Sequence, residues 1–166
     1  RRRGDLDSAL DQNLRAIELL GEYGNDFRRA LMLTNMGTVY RDRGDFARAL
    51  ELHLQALEIR ELNGDVQAIS LRNIALLYRE IEDEETSRSY FERALGSVSK
   101  HTNPETYAPI LGSYASLLND VGDHEVALAA ANEALEIDVA LGNRANEGLE
   151  LLEAGRAHYG MGQTVE

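Results

Sequence analysis

One stretch repeats through this chain, and that repeat restricts the possible fold more than any other feature. Leu33 to Ile59, LTNMGTVYRDRGDFARALELHLQALEI, places apolar residues at helical spacing on both sides of Gly44. Slid along the sequence, it realigns at intervals of 38, 40 and 40 residues, with its small residue recurring as Gly37, Ala75, Ala115 and Gly155. Leu33, Leu71, Leu111 and Leu151 stand four residues earlier, and Tyr40, Tyr78, Leu118 and His158 three residues later. The turn column reads Gly4, Gly44, Glu82, Gly122 and Gly162. Alanine columns follow as Ala9, Ala49, Ser87, Ala127 and as Ala16, Ala56, Ala94, Ala134. Columns that stay in phase over a whole chain mark stacked units, each too small to bury its apolar face alone. Each unit reads as two antiparallel amphipathic helices joined by a tight turn.

The pattern L-x-x-x-small-x-x-Y-x-x-x-G-x-x-x-x-A, with A-L seven residues on, resembles the tetratricopeptide repeat. That family's basic period is 34 residues. The longer spacing here, with N-x-G-x-x-Y and GDF-x-x-A, is similar to its long-helix variants in bacterial signalling and regulatory proteins and in kinesin light chains. The resemblance implies an all-α, right-handed superhelical solenoid of about eight antiparallel helices. It divides the chain into a half repeat 1–25, repeats 26–64, 65–103 and 104–142, and a half repeat 143–166, forming one domain. Arg1 to Arg3 align with the helix end before Gly44, since RRRGD matches RDRGD at 41–45. The expectation is a piece cut from a longer array.

Composition bounds the function. Two prolines, no Trp and no Cys suit an all-helical protein and leave no disulfide or cysteine-based zinc site; a reducing, cytoplasmic setting fits. No apolar run approaches the roughly 18 residues of a membrane span, and no signal peptide is present. A net charge of −12 argues against nucleic acid and anionic membranes as partners. His53, His101, His124 and His158 fall in different repeats, and no pair has the four-residue spacing of a helical metal site. GMGQT at 160–164 lacks the lysine and the strand of a phosphate loop. The reading is a non-enzyme with no cofactor and no metal.

The element boundaries follow from turn and cap signals. Helices are expected over 5–20, from Asn25 or Asp26 to Arg43, over 45–62, 66–81, 84–99, from Asn103-Pro104-Glu105 onward, over 123–141 and over 144–161. The run EDEE at 82–85 replaces the glycine turn, as drift in one repeat or as an acidic patch for a basic partner. Pro109, five residues into its helix, predicts a kink or a late start at Ala108. Leu151 and Leu152 lack a following helix and should be partly uncovered.

The resemblance places the first helix of each pair on a concave groove. The groove columns then contain Thr34, Asn35, Thr38 and Arg41 in one repeat, Arg72, Asn73 and Arg79 in the next, and Arg156 in the last. In long-period relatives an asparagine at the place of Asn35 and Asn73 hydrogen-bonds the backbone of an extended peptide; an amide can both donate and accept. The arginines would grip carboxylates, so the implied partner is a protein or peptide of acidic character. The clamp that some relatives use for a C-terminal carboxylate is not matched. Function is thus expected as a protein-interaction module, the regulatory or sensory part of a larger bacterial protein, docking a peptide or a domain of its own chain. The alternatives are a structural spacer or self-association element, with homo-oligomers forming through open solenoid ends, and a sensor of a small ligand or peptide signal.

Overall fold

The computed structural model describes residues 26–63 and 67–162, together with residues 8, 12, 13, 15, 16 and 19. Those last six are helical, within the expected helix over 5–20, whose other residues lie outside the described ones. The Asp65 cap and the shortened connection at 63–65 fall largely outside them too. The remainder forms seven helices, and no strand occurs among the described residues. They are α1 (Asp26–Asp42), α2 (Phe46–Asn63), α3 (Ala68–Glu80), α4 (Glu84–Gly96), α5 (Pro104–Asp120), α6 (His124–Leu141) and α7 (Arg144–Gly160). The chain divides into two compact units, Arg1–Glu82 and Asp83–Glu166.

In the first unit, α1 and α2 form the expected antiparallel pair. Gly44 takes the left-handed conformation, φ 80°, that lets the Asp45 amide reach back 2.9 Å to the Tyr40 carbonyl. That closure satisfies a carbonyl the helix end would leave bare. Asp45 then caps α2, its carboxylate accepting from the Arg48 amide at 3.3 Å. Ala30, Leu33 and Ala56 are buried together, with Leu52 and Ile59 packed against them. Each aliphatic side chain so removed from water contributes roughly 1.5–3 kcal/mol. α3 lies against α2 and touches α1. It starts at Ala68, two residues later than its apolar pattern predicts, and Gln67 supplies no side-chain cap.

Glu82 stands where the repeat asks for glycine, and it adopts φ 61°, the left-handed conformation of Gly44, Gly122 and Gly162. The turn is therefore kept although its residue type is lost. The acids that follow start a helix. The Asp83 carboxylate accepts from the Thr86 amide at 3.1 Å, and Glu84 and Glu85 sit in the first turn of α4. Negative charge there favours the helix dipole. α4 ends at Gly96, short of residue 99, and the Ser97 hydroxyl donates to the Ala94 carbonyl.

In the second unit, α5 begins at Pro104 and runs through Pro109, so the late start at Ala108 does not occur. Pro109 withholds its amide only from the carbonyl of Glu105, an exposed first-turn residue whose oxygen water can reach. Buried Phe91 of α4 stacks on Tyr114 of α5 with ring centroids 5.7 Å apart, and the Tyr114 hydroxyl donates to Glu92 at 3.0 Å. Gly122 and Gly142 repeat the turn of Gly44, with Asp123 donating to Leu118 and Asn143 to Asp138. Fully buried Ala127, Ala131 and Ala134 let α6 approach its neighbours α5 and α7 closely. Leu151 and Leu152 are each 59% exposed, as their place in the repeat predicts.

Candidate functional site

The groove candidates of the first unit lie on α1 and α3. Arg41 closes α1, and Arg72 sits near the start of α3. Burial and the neighbouring charge of Arg41 hold the Arg72 guanidinium below its ordinary pKa, so the fold brings two cations of successive repeats together. Arg41 also pairs with the adjacent Asp42 at 3.3 Å. Arg79 is half-buried on α3, seven residues beyond Arg72 and so on the same side of the helix. The hydroxyls here are occupied: Thr34 donates to the Ala30 carbonyl and Thr38 to the Thr34 carbonyl. Asn35 is exposed and Asn73 buried, so the two amides that share a column stand in different surroundings.

Behind this face lies His53. Its imidazole is fully buried, neither ring nitrogen has a hydrogen-bond partner, and a Cβ added to Gly37 would lie 2.7 Å from Nε2. Gly37 is small because the ring fills that space. Burial, with the charges of Arg41 and Arg60, holds the His53 pKa down to about 4, so the ring is neutral at physiological pH. It serves packing, as its column predicts.

Arg156 belongs to the second unit and is tied into it. Its guanidinium donates to Asp120 at 2.6 Å, to Glu153 at 2.9 Å and to the Ser116 hydroxyl at 3.3 Å. Those bonds, the one to Asp120 foremost, raise its pKa. Asn119 joins the same helices, its amide donating 2.9 Å to the Glu153 carbonyl, while its oxygen faces His124 Nδ1. A cavity of about 620 Å³ opens beside them, lined by His124, Leu151, Leu152, Gly155 and Tyr159 among others.

Two residues that the column reading passed over are buried carboxyls. Asp138 is fully buried and Glu150 nearly so, and each keeps one oxygen without a hydrogen-bond partner. The signal was present in the repeat. The column five before the small residue reads Met32, Ser70, Ile110, Glu150, and an acid there breaks an otherwise uncharged series. Among the described residues, no group of three or more His, Asp or Glu is placed to hold a metal ion, and no helix is long and apolar enough to cross a membrane.

Comparison with known proteins agrees with the repeat. The sequence model of the tetratricopeptide repeat family matches residues 1–62 and 28–98. Among solved structures, BtubC (BKLC) from P. vanneervenii superposes with a TM-score of 0.86 at 20% identity, over 97% of this chain and 68% of that one. A Podosopora anserina chain with nearly identical TPR-like repeats, assigned provisionally as a kinesin light chain, gives 0.74 at 14% identity over 97% and 81%. MamA gives 0.65 at 18% over 98% and 76%. A search of curated protein sequences returns no match.

Proposed function

This chain belongs to the tetratricopeptide repeat family, whose fold generally serves as a protein–protein interaction scaffold, and from that premise we propose that its first unit docks an acidic, extended peptide along α1 and α3. The juxtaposition of Arg41 and Arg72 carries this reading. Like charges held together cost free energy unless a counter-charge completes them, and a carboxylate of a bound peptide would do so by paired hydrogen bonds. Exposed Asn35 would meet the peptide backbone, and Arg79 would extend the cationic stripe along α3. The rest of the chain is strongly acidic, at net −12, so a basic or nucleic-acid guest is disfavoured by the overall field. In this reading the module is the regulatory or sensory part of a larger cytoplasmic bacterial protein, supported by its long-period spacing and lack of cysteine.

Selection from a random peptide display library tests it, wild type beside an Arg41→Ala/Arg72→Ala variant of equal helicity. Wild type should enrich sequences carrying Asp or Glu, and the variant should lose that enrichment. Selections without acidic bias, or identical for both proteins, would overturn the assignment. A second reading, self-association, rests on α7, which exposes Leu149, Leu151, Leu152 and Tyr159. Light scattering at high concentration addresses it, and a strict monomer would remove it.

A further inference from the structure

Glu150 occupies a position that the repeat reserves for packing. One repeat earlier the place belongs to Ile110, 1% exposed, and Glu150 is 4% exposed. Its carboxyl lies over Gly112 of α5, so closely that a Cβ at Gly112 would fall 2.0 Å from Oε1. Oε2 has no hydrogen-bond partner. On α6, fully buried Asp138 accepts from the Asn146 amide at 3.4 Å through Oδ1, while Oδ2 has no partner. Two carboxyls thus meet a dry interface where α7 seats on α5 and α6. A buried carboxylate without a counter-charge is costly, and two near each other cannot both ionise without opposing burial and repulsion.

The surroundings supply no relief. From α6 the charge acting on Glu150 is Asp138, and from α7 itself it is Glu153; both are negative. Glu147 of α7 adds its negative charge to Asp138. From α5 the group that meets Glu150 is Gly112, which brings none. Arg156 of α7 is bound to Asp120 and Glu153. The Asp138 carboxyl receives hydrogen bonds from Asn143 and Asn146, which favour its charged form, while burial opposes it. Glu150 receives none, so Glu150 is the member that holds the proton.

We propose that the seating of α7 on α5 and α6 is proton-controlled: α7 is docked while Glu150 is protonated and loosens when both buried carboxyls are ionised. Burial first, then the charges of Asp138 and Glu153, push Glu150 up to about 7, so the transition falls at neutrality. Loosening α7 would separate Arg156 from Asp120 and Asn119 from the Glu153 carbonyl, and it would dismantle the cavity beside them. The surface that α7 presents, with Leu149, Leu151, Leu152 and Tyr159, would then change with pH near 7.

The test uses the whole chain. Carboxyl carbon NMR follows the Glu150 side chain, and amide hydrogen exchange, corrected for intrinsic rates, follows α7 from pH 5.5 to 8.5. Glu150 should titrate near neutrality. Protection of α7 should fall roughly 30-fold between pH 5.5 and 7.5 and little beyond, since linkage allows up to tenfold per unit between the undocked and docked pKa values. In Glu150→Gln the α7 profile should be flat. Should that variant fail to fold, Asp138→Asn replaces it, and a smaller fall in protection together with a lower Glu150 midpoint is expected. Titration of Glu150 in the ordinary surface carboxylate range would overturn the proposal. So would a fall in α7 protection that is equal in wild type and variant.

Discussion

The two units share one repeat yet bury opposite chemistry. Four residues beyond the second alanine column, α2 carries buried Arg60, and α6 carries buried Asp138. Five residues before the small residue, α3 carries Ser70, and α7 carries Glu150. With His53 added, the first unit buries nitrogen bases and the second buries carboxyls. The repeat dictates where alanines, leucines and turn glycines stand, because close helix approach admits few alternatives there. It leaves the sign of the buried polar groups open, and each unit has taken a different one. Their stabilities should therefore answer to pH in opposite directions.

The largest effect is expected at Glu150. Its folded pKa, about 7, lies above its unfolded value near 4.5, so the folded state binds the extra proton between those limits. Stability of the second unit is then full below about pH 4.5, declines as pH rises toward 7, and stays reduced above. Glu150→Met, an apolar side chain in a column where Ile110 already sits, should raise stability by about 2–3 kcal/mol at pH 8. The gain at pH 4.5 should be much smaller. Urea unfolding at both pH values, read by exchange of α7 amides, checks this; equal gains would mean that charge is not what the site resists.

His53 gives the mirror case. Its folded pKa of about 4 lies below the ordinary 6.5, so the unfolded chain binds the extra proton. The first unit keeps its stability above about pH 6.5 and loses it as pH falls toward 4, by about 2 kcal/mol. In His53→Met that acid sensitivity should shrink while the second unit is unaffected. Exchange of α1 and α2 amides at pH 4 and 7, wild type against variant, separates this from the general titration of surface acids.

Glu82 sharpens the comparison at the backbone. Gly44 in the first unit and Gly122 in the second make the same turn without a Cβ, whereas Glu82 holds φ 61° with one. Left-handed backbone disfavours L side chains by about 1 kcal/mol, partly offset by the greater freedom of glycine in the unfolded chain. Glu82→Gly should therefore stabilise by roughly 0.5–1 kcal/mol, visible as a higher urea midpoint with an unchanged slope. A loss of stability would show that the glutamate side chain makes a contact worth more than the strain.

Much of this fold was legible because repetition averages over local noise. Leu33, Leu71 and Leu111 share a column and are all buried. The Gly44 and Gly122 columns predicted turns that the backbone makes, and even the altered column at Glu82 keeps its geometry. Legibility failed where one residue departs from its column for reasons of three-dimensional pairing. Glu150 reads as one more acid in an acidic chain until Gly112, 38 residues earlier, is seen to leave it room. Pro109 reads as a helix breaker until its helix is seen to start at Pro104, which leaves the lost hydrogen bond in an exposed turn. Asn35 and Asn73 share a column, but burial differs between them, and column position alone could not separate the two.

Arg156 supplies the smallest effect and the closest contrast with the first unit. It occupies a groove column like Thr38, yet its guanidinium is engaged by Asp120 and Glu153 from α5 and α7. Such exposed pairs contribute about 0.5 kcal/mol and weaken as salt screens them. Arg156→Ala should lower stability by that amount in low salt and by almost nothing in 1 M salt. It should also leave the acidic-peptide selection of the first unit intact, because its charge is already met within its own unit. Arg41 and Arg72 stand the other way round, two cations pressed together. If Arg156→Ala removed the selection as fully as Arg41→Ala/Arg72→Ala, the guest would have to reach the second unit, and the division of labour between the units would fall.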